Sequence, residues 1–341
     1  MQSILIADRM VGRRGALKAL GGGVLGGLAL AAGPGGAAQP ARPPADAPVS
    51  PEQALRAFGK IWSSYEEPMI GAFQGIMYLR VGDKAAVPVF GMTGTGASQA
   101  RMDEAGNLIL KSRETGYFTD LATGDILETW LNPFTEERVE VYHFYDDLLM
   151  GRTAPKDVPS MISFQPLGAD EMMMSWDYAK SVDNPVTPEG WPTYSTGHRI
   201  SPSEHFTFYM SRAEYEDPGV PSVRTRGSFA RMSQCWPFMK MGKSPFKDAV
   251  LFGRMFSHKG LPGYGEVPPK LLAYVEKHAP NYLAPPPGWG APGEHHAARL
   301  DTWLAFAGDI PPETPGYPWA QQAMAPGLAP PTGLAARYRK L

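Results

Sequence analysis

The chain is expected to be mainly β, a β-rich α+β fold: an antiparallel meander closing into a barrel-like or strongly curved sheet, with an N-terminal helix and a Pro-rich, partly helical C-terminal wrap. Three observations lead there. Short β-rich runs follow one another from about Gly71, with tight turn signals between them. Helical periodicity is confined to a few segments, and prolines crowd into the last third. Strands joined by short turns pair antiparallel, and a long run of them closes into a barrel or folds as a sandwich.

The first segment is an export signal. Arg13 and Arg14 stand directly before an apolar, glycine-rich run from Ala19 to Ala32, and small residues follow at 36–38. That order marks a secretory leader, and the arginine pair, with Leu17 and Lys18 behind it, points to the twin-arginine route. A Sec signal with a chance arginine pair is the alternative. The run is too short and glycine-rich to span a membrane, which takes about 20 strongly apolar residues. Residues 1–38 are therefore expected to be a signal peptide, 39–50 a Pro/Ala-rich tether, 51–320 a single β-rich domain and 321–341 a tail. The expected location is the periplasm or otherwise outside the cytoplasm, with the twin-arginine translocase as partner during export and no stable membrane span in the mature chain.

Within the domain, Ser50-Pro51-Glu52 is a helix start: a capping serine, proline at the first position, an acid behind it. Leu55, Phe58, Ile61 and Trp62 recur on one helical face, and the helix is expected to end near Glu67-Pro68. Phe73–Val81, Asn107–Phe118, Ile126–Leu131 and Glu137–Tyr145 carry strand patterns, broken at Gly82-Asp83, at Ala122–Asp125 and at Asn132-Pro133. Further strands are expected at 171–178, 205–212 and 223–234. Gly91-Met92-Thr93-Gly94-Thr95-Gly96 opens no helix, as a phosphate loop must, and is expected to be a flexible turn or lid. Past Pro262 the prolines leave room for two short helices, Pro269–His278 and Ala297–Ala307.

Composition narrows the function classes. Hydrophobic residues make up 43% and charged residues 19%, enough for a substantial core. Residues 1–38 hold Arg9, Arg13, Arg14 and Lys18 against Asp8. The remainder keeps all but four of the 32 basic residues and all but one of the 34 acidic ones, a net charge of about −5. That argues against a nucleic-acid surface. Cys235 is the single cysteine, so no internal disulfide forms, in keeping with folding in a reducing cytoplasm before export. Its apolar context suggests a buried, inert thiol.

Several stretches together resemble a bacterial family known as the domain-of-unknown-function family 1838: Ser112–Asp120, Thr123–Thr135, Val139–His143 and Trp236–Gly242. The likeness covers most of residues 55–320 and implies no established reaction. Glu136 departs from the pattern, standing where glycine commonly follows the turn threonine, and Tyr145-Asp146-Asp147 replaces an Asn-Asp-Pro-like run.

No nucleophile elbow, P-loop, zinc-binding helix or dinucleotide fingerprint is present. Candidate chemistry rests on isolated residues. Alternation along 137–145 puts His143 among Val139, Val141 and Tyr145, close to Asp146 and Asp147, as a general base or as a structural histidine. Arg113 and Glu114 point to opposite faces of their strand. Arg113 shares its face with Tyr117, a pairing suited to holding an anionic group, or it belongs to a structural ion pair. Trp176, His198, Glu204, Trp236 and Met239 are candidate ligand-binding residues, with Met172, Met173, Met174, Trp191, Phe238 and Met241 as further pocket or core residues.

Two functions of different class follow. One is a cofactor-independent acid–base lyase or isomerase acting on a hydrophobic or aromatic small molecule, with His143, Arg113, Glu114 and Tyr117 as catalytic residues. The other is a non-catalytic periplasmic binder of such a ligand. A charged set converging inside a cavity favours the enzyme, and a wholly apolar lining favours the binder. A metal hydrolase using His143, His198, Glu204 and His205 is the remaining alternative, with His295-His296 a weaker ligand pair; their spacing fits no standard ligand pattern. No cofactor, metal or nucleic acid is expected.

Overall fold

The computed structural model describes residues 50–155, 162–179, 181–289 and 301–317, side chains at 146–152, 178, 301, 302, 304 and 305 aside. They all belong to one compact unit spanning 49–341. The expected export signal, most of the expected tether, the expected tail and His295-His296 lie outside the described residues. Helix α1 (Pro51–Trp62) begins as its sequence demands. The Ser50 hydroxyl accepts the Gln53 N–H at 3.2 Å, and the Gln53 side chain accepts the Ser50 N–H at 2.9 Å, a reciprocal capping box. The helix stops at Trp62, short of Glu67, because the extended Ser63 closes the last turn onto the Gly59 carbonyl.

Nine strands form one antiparallel sheet: β1 (Met69–Arg80), β2 (Val87–Met102), β3 (Leu108–Thr119), β6 (Phe144–Thr153), β7 (Ile162–Pro166), β8 (Glu171–Ala179), β11 (Ser203–Ser211), β12 (Thr225–Gln234) and β13 (Val250–Leu261). Their spatial order is β6-β3-β2-β1-β13-β12-β11-β8-β7. Two short ribbons stand apart, β4 (Thr129–Leu131) with β5 (Arg138–Glu140), and β9 (Val182–Asp183) with β10 (Arg199–Ile200). The fold is thus mainly β. Barrel closure is not found: among the described residues no pairing joins β6 to β7.

The sheet curls nonetheless. Leu108 on β3 and Met174 on β8 share one apolar cluster with Leu55 and Ile61 of α1. Six strand spacings separate β3 from β8, roughly 29 Å in a flat sheet, whereas a helix is only about 10–12 Å across. Both ends can reach one helix only if the sheet bends around it. Helix α1 therefore fills one end of a trough. Trp236 and Phe238 fill the other, packing on Phe118 at centroid distances of 5.4 and 5.6 Å.

The first part of the wrap lies on the outer face. Helix α3 (Pro269–His278) sets Tyr274 against Tyr117 at 4.9 Å, and the turn at Pro280–Leu283 sets Tyr282 against Tyr145 at 5.5 Å. Helix α4 (Asp301–Asp309) brings Trp303 onto Trp236 at 5.0 Å and Phe306 onto Tyr142 at 5.2 Å. A single-turn helix, α2 (Arg212–Glu216), follows β11.

Three sequence expectations are corrected here. Gly91–Gly96 is neither turn nor lid but the middle of β2, paired on both sides. The run 126–131 keeps only Thr129–Leu131 as strand, with one isolated bridge from Thr119 to Ile126. The expected strand 137–145 is split at Val141–His143. There the Val141 N–H bonds the Glu128 carbonyl, and the Phe118 N–H donates to Nδ1 of His143 at 3.2 Å. The imidazole thus takes a bond that a strand carbonyl would otherwise accept, and the ladder breaks.

Candidate functional site

Strand alternation decides what enters the trough. Inward residues are Met69, Gly71 and Phe73 on β1; Met92, Gly96 and Ser98 on β2; Ser112 and Glu114 on β3; Glu204, Phe206 and Phe208 on β11; Phe229 and Arg231 on β12; and Met255, Ser257 and Lys259 on β13. Together with Phe144 and with Trp62 at the end of α1 they line a cavity of about 1040 Å³, counting open solvent at its mouth. The walls are mostly aromatic rings and thioethers. Trp62 meets Phe206 and Phe208 edge-on at 5.1 and 5.8 Å, and Phe73 meets Phe229 at 5.5 Å.

Besides Arg113, four charged side chains break that apolar lining. Glu204 and Arg231 face each other in register across β11 and β12, 3.2 Å apart and nearly buried. The Arg231 guanidinium also lies 5.2 Å from the Trp236 ring centre. Lys259 and Glu114 form the second set. In register, Lys259 stands opposite Gly71, Gly71 opposite Gly96, and Gly96 opposite Glu114. Two bare positions therefore lie between lysine and glutamate, and the space they leave is part of the cavity floor. The Lys259 Nζ sits 4.1 Å from the Trp62 ring centre. Burial pushes its ammonium below the usual lysine range, while the Glu114 charge works the other way. Beside Lys259, the hydroxyls of Ser257 and Thr225 are buried with no hydrogen-bond partner among the described residues.

The residues expected from sequence divide between the two faces. Glu114 and Glu204 enter the cavity. Arg113 reaches only its edge, with Nη1 donating to the Asn281 carbonyl at 3.0 Å on the wrap side. Tyr117 and His143 lie together under α3, their rings 5.2 Å apart, on the side of β3 away from Glu114. Burial drives the His143 pKa down to about 3, against a backbone hydrogen bond with Leu127, and burial pushes the Tyr117 phenol far up. Trp176 stands one ring behind the cavity wall, stacked on Phe206 at 5.2 Å. Trp236 and Met239 belong to the core at the other end, and the Met239 carbonyl accepts the Asn132 side-chain amide at 2.6 Å. His198 is on the surface, 3.3 Å from Glu189.

The four residues of the metal alternative are dispersed. Glu204 faces inward, whereas His205, its neighbour on the strand, points outward to Asp177 at 2.8 Å. Among the described residues no group of three or more His, Cys, Asp and Glu is placed to hold a metal ion. No helix there is long and apolar enough to cross a membrane.

Sequence reasoning missed Lys259, Arg231, Ser257 and Trp62 as site residues. The available signal was a charge in the apolar phase of a strand: Leu251, Met255, Lys259 and Leu261 alternate on β13. Phe252 and Phe256 occupy the opposite phase, so the pattern alone does not say which face is inside.

Fold and site together define a curled antiparallel sheet around an aromatic cavity with paired charges. The chain belongs to the family described as protein of unknown function (DUF1838), whose model matches residues 66–297, more than half of the sequence. Two stretches that carry the resemblance are tied together by the buried Asn132–Met239 bond. A comparison with curated proteins found no match. Among solved structures, Ail, the attachment invasion locus protein of Yersinia pestis, covers 57% of this chain and 97% of its own at 7% identity, with a TM-score of 0.17.

Proposed function

We propose that the protein acts outside the cytoplasm after twin-arginine export, and that its cavity takes a hydrophobic or aromatic small molecule for cofactor-independent acid–base chemistry of the lyase or isomerase type. The observation that carries this reading is the pair Lys259 and Glu114, facing each other over Gly71 and Gly96 inside an aromatic bowl. A carrier of apolar ligands needs no charges in its lining, because each one costs desolvation. Of the residues first considered for catalysis, Glu114 keeps its place, and Lys259 takes the part of His143 as the proton-handling base. Arg231 and Glu204 neutralise each other and orient the ligand's polar end. On this reading the curled sheet acts as a half-closed barrel, with its interior as the binding chamber.

Calorimetric titration of the mature protein with neutral and anionic naphthalene derivatives tests the binding. Saturable heat from any of them is the expected result, and none from the whole set would sink the reading. Exchange of acidic C–H protons of a bound ligand in heavy water, followed by NMR, separates the two classes. Exchange that disappears in Lys259→Met supports catalysis. Binding without exchange favours a non-catalytic carrier, the reading suggested by the self-neutralised Glu204–Arg231 pair.

A further inference from the structure

We propose that Lys259 is a covalent capture residue, and that the ligand class of the cavity is an apolar or aromatic aldehyde or ketone bound as an imine. The inference rests on the reading of the cavity as a ligand site and goes beyond it by naming the reacting group. Two lysines permit a comparison; Lys111, also enclosed, lies in the opposite phase of β3 from Glu114, its Nζ 4.4 Å from the Trp289 ring centre, and lines no part of the cavity. Lys60 of α1 is anchored, its Nζ donating to the Glu214 and Asp217 carbonyls at 2.8 and 2.9 Å. Lys259 makes no hydrogen bond and no ion pair among the described residues; its Nζ touches only the Trp62 ring. Lys60 is thus tied down, whereas Lys259 is left available in the cavity lining.

The surroundings suit the reaction. Glu114 is the carboxylate whose charge reaches Lys259. The hydroxyls of Ser257, two residues along on the same face, and of Thr225, opposite Lys259 in register, are buried and without partners among the described residues. Ser257, which lines the cavity, is placed to hold a carbonyl oxygen as it becomes a hydroxyl. The desolvation that lowers the ammonium pKa also raises the share of neutral amine, the nucleophilic form.

The step balances without an oxidant or reductant. The amine lone pair forms the C–N bond while the carbonyl π pair moves to oxygen. That oxygen takes a proton, the nitrogen loses one, and a carbinolamine results. Glu114, protonated in turn, delivers a proton to the hydroxyl. Water leaves as the nitrogen pair forms C=N, the resulting iminium returns its N–H proton to the Glu114 carboxylate, and the net change is amine plus carbonyl to imine plus water. An apolar cavity favours dehydration and shields the imine from hydrolysis.

The test uses the mature protein with 2-naphthaldehyde and sodium cyanoborohydride, which reduces imines to stable amines, followed by peptide mapping. The expected result is one adduct per chain, on Lys259, formed ahead of the exposed Lys84, Lys243, Lys247 and Lys277. Labelling spread over those surface lysines with Lys259 unmodified overturns the proposal. Lys259→Met is expected to abolish the adduct while calorimetry still records binding of 2-naphthylmethanol, which has no carbonyl. Glu114→Gln is expected to slow labelling roughly a hundredfold. If wild-type protein binds the alcohol and traps no aldehyde, the imine fails and the cavity reading stands. If it binds neither, both fail.

Discussion

Lys259 and Glu114 sit three strands apart on β13 and β3, and the two residues in register between them, Gly71 and Gly96, carry no side chain. A Cβ at Gly96 would lie 2.7 Å from the Arg113 carbonyl oxygen, a backbone atom that cannot give way; one at Gly71 would meet the flexible Lys259 stem at 3.3 Å and the His258 carbonyl oxygen at 3.4 Å, close to ordinary contact. Gly71→Leu is therefore the substitution that fills the floor and spares the fold. Ligand affinity by calorimetry should fall at least about tenfold, with the melting temperature lowered by no more than about 4 °C.

The Glu204–Arg231 pair should behave as a buried ion pair. Glu204→Ala leaves Arg231 without its counter-charge beside Trp236, and urea unfolding should register a loss of about 3–5 kcal/mol. The double replacement Glu204→Leu with Arg231→Met should cost clearly less than the sum of the single changes. Additive losses would mean that the two charges do not act on each other.

His143 gives the fold a defined acid sensitivity. Its pKa is about 3 in the folded chain and about 6.5 when unfolded, so below pH 6.5 the unfolded state binds the extra proton. Its stabilising contribution is complete above pH 6.5 and declines as pH falls toward 3, by roughly 4–5 kcal/mol in all. His143→Leu should flatten that part of the stability–pH curve. It should also cost about 1–3 kcal/mol at pH 7, because the Phe118 N–H loses its acceptor. Urea midpoints at pH 7, 5.5 and 4.5 decide it.

Glu136 occupies the left-handed region, with φ 59°. A side chain there costs about 1 kcal/mol of steric strain that glycine does not incur. Glu136→Gly should raise stability by a fraction of that amount, since glycine also loosens the unfolded chain, and a thermal melt reads the change.

Cys235 is buried, and burial pushes its thiol up to about 12. A colourless disulfide reagent that reports thiolates should register nothing from native protein at pH 8, then one thiol per chain once guanidinium is added. Rapid reaction of the folded chain would show that the core around Trp236 opens readily.

Local signals were readable wherever neighbours in sequence decide the outcome. The Ser50 cap, the helix at Pro269–His278 and the turn closed by Asp120 on the Ala122 and Thr123 amides at 2.8 Å all follow from adjacent side chains and proline. Strand boundaries failed where a distant group intervened, as when His143 took the Phe118 amide and ended the expected strand.

The sequence by itself determined a mainly β chain with a capped first helix, a proline-broken wrap, a single cysteine and the family to which it belongs. Only the tertiary structure decided that β13 lies at the centre of the sheet between β1 and β12, and that Glu114 lines the cavity while Arg113, at the same cavity, bonds the Asn281 carbonyl. Both choices depend on which strands pair across more than a hundred residues. Both phases of β13 are apolar enough to be buried, so alternation constrained the pattern without choosing the face. Long-range register set Lys259 across from Glu114, and no local propensity records register.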